Sequence, residues 1–278
     1  MVKIDAHQHF WQYDPIRDSW ITEEMAVIRR DFLPDDLQPL LEQHGFDGCV
    51  VVQSDQSPAE NRFQLGHAQA HDFIKGVVGW VDLWAEDVAE QLAALQQYPK
   101  LKGFRAILQG AADPALMLQP AFKRGIGQLR PFGYTYDILI YANQLQYLPE
   151  LVAAFPDQPF VVDHLAKPDI KNQDIARWRR EITALAAHEN VYCKVSGLVT
   201  EADWRNWKKA DFRPYLDTIV AAFGTDRLLY GSDWPVCLLA GSYTQVLDLV
   251  QNYFAAFSQQ EQNQIFGGNA VKFYNLSV

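Results

Sequence analysis

Cysteine is scarce: Cys49, Cys193 and Cys237 are an odd number without metal-type spacing, so neither a disulfide framework nor a thiolate-held metal is expected. Each lies in an apolar run and reads as a buried, reduced thiol. Basic charge is in deficit as well. The 24 Lys and Arg stand against 34 Asp and Glu, a formal net charge of −10 that repels phosphate backbones and excludes nucleic acid as an expected partner. No run of about 18 apolar residues is present, and the opening MVKIDAHQHF has no basic segment followed by an apolar one. The expected location is therefore the cytoplasm, with no membrane partner. A Pro-, Gly- or Ser-rich linker is also missing, so residues 1–278 are read as one domain, somewhat longer than the roughly 250 residues typical of an α/β barrel.

What is there suffices for a large core: 49% of the residues are hydrophobic and 21% charged, the balance of a folded globular chain. Eight short β-rich runs recur. They cover Val2–His9, Asp47–Gln53, Gly76–Asp82, Leu101–Leu108, Thr135–Tyr141, Phe160–His164, Val191–Ser196 and Arg227–Asp233. Helix-patterned stretches such as Asp35–His44, Glu60–His71, Glu86–Tyr98 and Leu145–Phe155 separate them, which predicts a parallel sheet covered on both faces. An open doubly wound sheet would place a Gly-rich phosphate turn after the first strand, where this chain has His-Gln-His. The predicted architecture is a (β/α)8 TIM barrel.

In such a barrel every strand points its C-terminal end at one face, so polar residues far apart in sequence converge there. His7 and His9, two apart on an extended chain, project to the same side and suit either a metal ion or two substrate oxygens. Either of them alone would read as a hydrogen-bonded structural residue. Arg105 on the fourth run, His164 beside Asp163 on the sixth, Lys194 and Ser196 on the seventh and Asp233 on the eighth add cations and carboxylates. That set suits an anionic transition state and a water-activating base. Arg105 has an interlayer salt bridge as its alternative role, and Lys194 a direction away from the site. Trp11, Trp80, Trp84, Trp204 and Trp234 stand near strand ends, where they stack on a sugar ring or pack between layers. The segments Phe10–Arg30 and the stretch after Gly197 are long for barrel loops and are expected to wall the site. His44, His67, His71 and His188 fall in helical patterns and are assigned to the outer layer.

The order of IDAHQHFW (4–11), KGFRAILQG (102–110), FVVDHLAKP (160–168), CKVSGLVTEADW (193–204), YGSDWPV (230–236) and GGNAVKFYNL (267–276) resembles the amidohydrolase-related sugar-lactonase group, which includes L-fuconolactonases and L-rhamnonolactonases. The resemblance implies a barrel whose site is lined by His7, His9, Arg105, His164 and Asp233, with Asp233 as general base. It implies hydrolysis of a sugar-acid lactone, a small molecule, to the aldonic acid. From their places near strand ends, Arg105, Lys194, Trp11, Trp80 and Trp234 are expected to bind substrate. Two departures bear on the metal. Arg105 stands where binuclear members carry a bridging lysine, and ILIYANQ offers no fifth-strand histidine. His7, His9, His164 and Asp233 together leave two states open, one zinc ion or no metal. Metal-dependent amide hydrolysis or decarboxylation, and a non-catalytic binding barrel, are the alternative functions. Oligomeric state is open.

Overall fold

The apolar runs form eight parallel strands paired in sequence order: β1 (Ile4–Gln8), β2 (Gly48–Val52), β3 (Ile74–Gly79), β4 (Leu101–Ile107), β5 (Thr135–Leu139), β6 (Phe160–Val162), β7 (Val191–Val195) and β8 (Leu228–Tyr230). They belong to a computed structural model that describes residues 2–278. The helices are α1 (Pro34–Gln43), α2 (Pro58–Ala70), α3 (Val88–Leu95), α4 (Pro120–Leu129), α5 (Leu148–Ala153), α6 (Ala176–Ala186), α7 (Lys209–Phe223) and α8 (Tyr243–Phe254), followed by α9 (Gln259–Asn263) and α10 (Asn269–Phe273). Past β8, the Asp233 N–H donates to the His7 carbonyl at 2.8 Å and the His9 N–H to the Trp234 carbonyl at 2.7 Å. These bonds bring the first and last strands together, and the sheet closes into the predicted (β/α)8 barrel. Among the described residues no helix is long and apolar enough to cross a membrane.

Several elements are shorter than the sequence reading, β6, β8 and α3 among them, and two differ for clear local reasons. The strand expected over Gly76–Asp82 ends at Gly79, because the Asn61 side chain takes both the N–H (2.8 Å) and the carbonyl (2.6 Å) of Trp80. The helix expected over Leu145–Phe155 is a 3-10 stretch, Ala142–Tyr147, joined to the short α5, whose first turn contains Pro149.

Side chains alternate across the strands. Outward residues such as Cys49, Val51, Phe104, Tyr136 and Cys193 pack under the helices, and all three cysteines are buried and free. Inward residues fill the barrel floor: Ile4, Ala6, Val50, Val52, Val78, Val161 and Leu229 cluster with Phe273, Tyr274 and Leu276, which plug that end. Polar layers stand above this floor.

Candidate active site

A register shift in β1 places the first two ligands of the site. Between Asp5 (opposite Cys49) and Gln8 (opposite Val51), β1 carries one residue more than β2, a bulge that flips the alternation. Ile4 and Ala6 face inward below the bulge, and His7 and His9 face inward above it. Asp5, left outside, accepts from the freed His7 N–H (3.3 Å), the Ser232 N–H (2.9 Å) and the Tyr243 hydroxyl (3.1 Å). Asp5 thereby clamps β1 to the chain leaving β8. Gly231 is required here, since a Cβ on it would lie 2.5 Å from the His7 Cβ.

The lower polar layer is an ion network. Lys194 Nζ donates to Asp137 Oδ2 at 2.5 Å, lies 3.0 Å from Asp163 Oδ1 and reaches His7 Nδ1 at 3.0 Å. Arg105 donates to Asp163 Oδ2 at 2.9 Å and to the Gln53 carbonyl. Tyr274, from the plug, donates to Asp137 Oδ2 at 2.7 Å. Lys194, Asp137 and Asp163 are fully buried. Lys194 therefore points inward but lies beneath His7, where it supports that ring; it does not reach the cavity to bind substrate as the sequence reading had it. Burial pushes the Asp137 carboxyl up to about 6 against the pull of Lys194. Burial acts on Asp163 in the same direction, yet Lys194, His7 and Arg105 outweigh it and hold that carboxyl well below the usual range.

The upper layer collects the strand-end groups. His9 Nε2 lies 3.2 Å from His7 Nε2 and 3.5 Å from Asp233 Oδ1, while His7 and His164 present Nε2 to the same oxygen at 3.8 and 3.9 Å. His9 Nδ1 donates to the Val52 carbonyl at 2.7 Å, and His164 Nδ1 pairs with Ser196 Oγ at 2.8 Å. Each imidazole is thus oriented through Nδ1 and leaves Nε2 toward a common point. Tetrahedral ligands on arms of about 2.1 Å stand about 3.4 Å apart, close to these spacings, so the donor set fits one zinc-sized ion. Ligand atoms of His7, His164 and Asp233 all lie within 4.8 Å of one another.

His164 opens a run of left-handed residues, His164 to Lys167, with φ of 54°, 54°, 58° and 50°. Such backbone costs roughly 1–2 kcal/mol per non-glycine residue and persists where the surroundings over-determine it. Here the Trp178 indole donates to the Leu165 carbonyl at 2.7 Å, and the Lys167 N–H to the His164 carbonyl at 2.7 Å. Gly197 allows the approach, since a Cβ on it would meet the His164 ring at 2.6 Å.

Above this layer opens a cavity of about 430 Å3, reached by His9, Arg105, His164 and Asp233 and walled by Trp11, Trp20, Tyr141 and Trp204. Both long loops supply its walls, as expected. Trp80 and Trp234, expected at the substrate, do not face it. Trp80 lines a surface groove with Asn61 and Tyr98, its backbone held by Asn61, and Trp234 packs edge-on against Phe10 and Phe32 at 6.3 and 5.2 Å behind the strand end. Trp84 likewise turns to the helical layer, donating to Gln119. Asp137 was missed, although a lone carboxylate inside the apolar run TYDILIY signals a buried partner. Trp20 and Tyr141 left no comparable signal, because their place depends on loop path.

Burial drives His7 well below its ordinary basicity and His164 down to about 4, so both rings are neutral at pH 7. Burial would raise Asp233, but His164, His9 and His7 surround it and hold the carboxyl well below the usual range. A histidine depressed from 6.5 to about 4 contributes stability that is present above pH 6.5 and lost as pH falls toward 4, roughly 3 kcal/mol for His164. Thermal melts of chelator-treated protein between pH 7 and 4 should therefore show a steeper loss for the parent than for His164→Asn. Parallel curves would show that burial of this ring does not govern acid stability.

A model of the amidohydrolase family matches residues 4–276. An L-fucono-1,5-lactonase of Burkholderia multivorans is 41% identical over 99% of this chain and 96% of its own. An L-rhamnono-gamma-lactonase of Scheffersomyces stipitis is 23% identical over 70% of this chain and 66% of its own. The crystal structure of a Burkholderia multivorans amidohydrolase with bound zinc superposes with a TM-score of 0.96 at 40% identity, covering 100% of both chains. With its barrel, its strand-end histidines and a family match across almost its whole length, this chain belongs to the amidohydrolase family.

Proposed function

We propose that the protein hydrolyses a sugar-acid lactone of the L-fucono- or L-rhamnonolactone type to the aldonic acid, acting as a single catalytic domain. The observation that carries this reading is the convergence of Asp233 with His7, His9, His164 and Arg105 under an aromatic-walled cavity. The likeness to lactonases supports it. Asp233 is ionised throughout the neutral range and takes a proton from the attacking water as the water oxygen bonds to the lactone carbonyl carbon. Arg105, held by Asp163 and Gln53, faces the oxyanion that forms. One well-placed donor to such an oxyanion is worth about 3 kcal/mol. The ring C–O bond then breaks, and Asp233 returns its proton to the departing ring oxygen. His164 is too weakly basic to supply that proton at pH 7; tied to Ser196, it orients the reacting groups.

A carboxylate held this acidic is a weak base, which suits a lactone better than an amide because the ester carbonyl is more reactive. His7, His9, His164 and Asp233 would hold one zinc ion, which when bound lowers the pKa of a coordinated water and polarises the carbonyl. The aromatics Trp11, Trp20, Tyr141 and Trp204 offer apolar faces to a sugar ring.

A pH-indicator screen across aldono-1,4- and 1,5-lactones, with untreated and chelated protein, tests the reading. Turnover of at least one aldonolactone is expected, with chelation reporting how far the metal contributes. Absence of turnover across the panel under both conditions would refute it.

A further inference from the structure

Lys167 and Glu201 face the cavity but have no part in the bond-breaking steps. Lys167 leaves the same left-handed turn that aims His164, and Glu201 lies on the long loop after β7, fixed by the Lys171 N–H donating to its carbonyl at 3.0 Å. Both side chains are about four-fifths buried, with 18% and 22% exposure. Their charged atoms stand 3.7 Å apart, an ion pair too long to be a hydrogen bond. Among the described residues neither side chain makes a hydrogen bond to another protein group, so the ammonium donors and the carboxylate have only each other within 4 Å. The Tyr141 ring, 5.6 Å from Lys167 Nζ, supports the ammonium from one side. Both residues line the catalytic cavity and also an outer vestibule of about 830 Å3, and with Tyr141, Thr200, Trp204 and Leu239 they stand at the neck between them.

A charged pair that only tied two loops together would close to contact distance and satisfy its protons. A pair held slightly apart, with donors and acceptors unfilled, presents what a hydroxyl needs, since each hydroxyl both donates and accepts. We infer that Lys167 and Glu201 read the hydroxyl groups of the substrate ring at the cavity neck and make the enzyme selective for polyhydroxylated over unsubstituted lactones. This inference rests on the lactonase reading of the site. Sites built to hydrogen-bond a hydroxyl discriminate strongly against analogues lacking it, because their polar groups are otherwise left unpaired.

The test compares kcat/KM for a six-carbon aldono-1,5-lactone with that for δ-valerolactone, which has the same ring without hydroxyls. In Lys167→Met and in the isosteric Glu201→Gln the ratio is expected to fall at least about tenfold, with Lys167→Arg recovering part of it. Equal losses on both lactones would mark the pair as a structural tie, and an unchanged ratio would also overturn the inference. If the parent hydrolyses neither lactone, it is the lactonase reading that fails. Calorimetric titration with the corresponding 1,5-anhydroalditol, which keeps the ring hydroxyls but has no carbonyl, then decides for the pair. Binding by the parent that weakens at least about tenfold in both variants supports it; equal affinity, or no binding by the parent, overturns it.

Discussion

Replacing Asp233 with Asn is expected to lower kcat for aldonolactone hydrolysis by about a hundred- to ten-thousandfold, the range over which a positioned general base acts. The substitution conserves shape and leaves the backbone bond from residue 233 to the His7 carbonyl in place. What it removes is the proton acceptor, since an amide cannot take a proton from water at neutral pH. It also removes the only carboxylate oxygen within 4 Å of His9 Nε2 and His164 Nε2 among the described residues. Affinity for zinc should therefore fall along with kcat. The two effects separate under chelation: activity that survives chelation in the parent and is lost in the variant reports the base itself. Steady-state kinetics decides, and a variant within tenfold of the parent would remove Asp233 from that role.

The second large effect concerns stability. Lys194→Met should destabilise the protein by about 3–5 kcal/mol, because Asp137 and Asp163, both fully buried, lose the cation lying between them. For a chain of this length that corresponds to a melting temperature lower by about 10 °C. Arg105 still serves Asp163, so the larger part of the loss falls on Asp137, whose remaining partner is Tyr274. Lys194→Met combined with Asp137→Asn should recover part of it, since the uncompensated charge then disappears. Calorimetry of the parent and both variants measures this. A single variant that melts with the parent would mean that Lys194 contributes nothing net to stability.

Much of the architecture was legible in the sequence because a parallel barrel writes each strand as a short apolar run and keeps polar residues for the C-terminal rim. His7, His9, Arg105, His164 and Asp233 were readable for that reason, and the structure brings all five to one face. Lys194 was readable as a polar residue on a strand, but its depth in the barrel was not. Strand periodicity tells which face a side chain takes and not how far along the axis it sits. Trp80 and Trp234 show the same limit from the other side: both flank strand ends, yet the Asn61 bridge and the Phe10–Phe32 packing turn them from the cavity. The bulge in β1 had no signature in IDAHQHF, because its extra residue is defined by pairing with β2.

The Tyr274 hydroxyl sets a schedule for assembly. It lies one bond from Asp137, two from Lys194 and three from the ring of His7, although 267 positions separate it from that histidine in order of synthesis. During translation His7 emerges before Asp233 and Tyr274, which follow it by 226 and 267 positions. Until they follow, His9 and His164 have no carboxylate to meet and the floor of the barrel lacks its plug. Contacts of such sequence separation form late and slowly. The chain that closes the site is thus made long after the histidines that it completes.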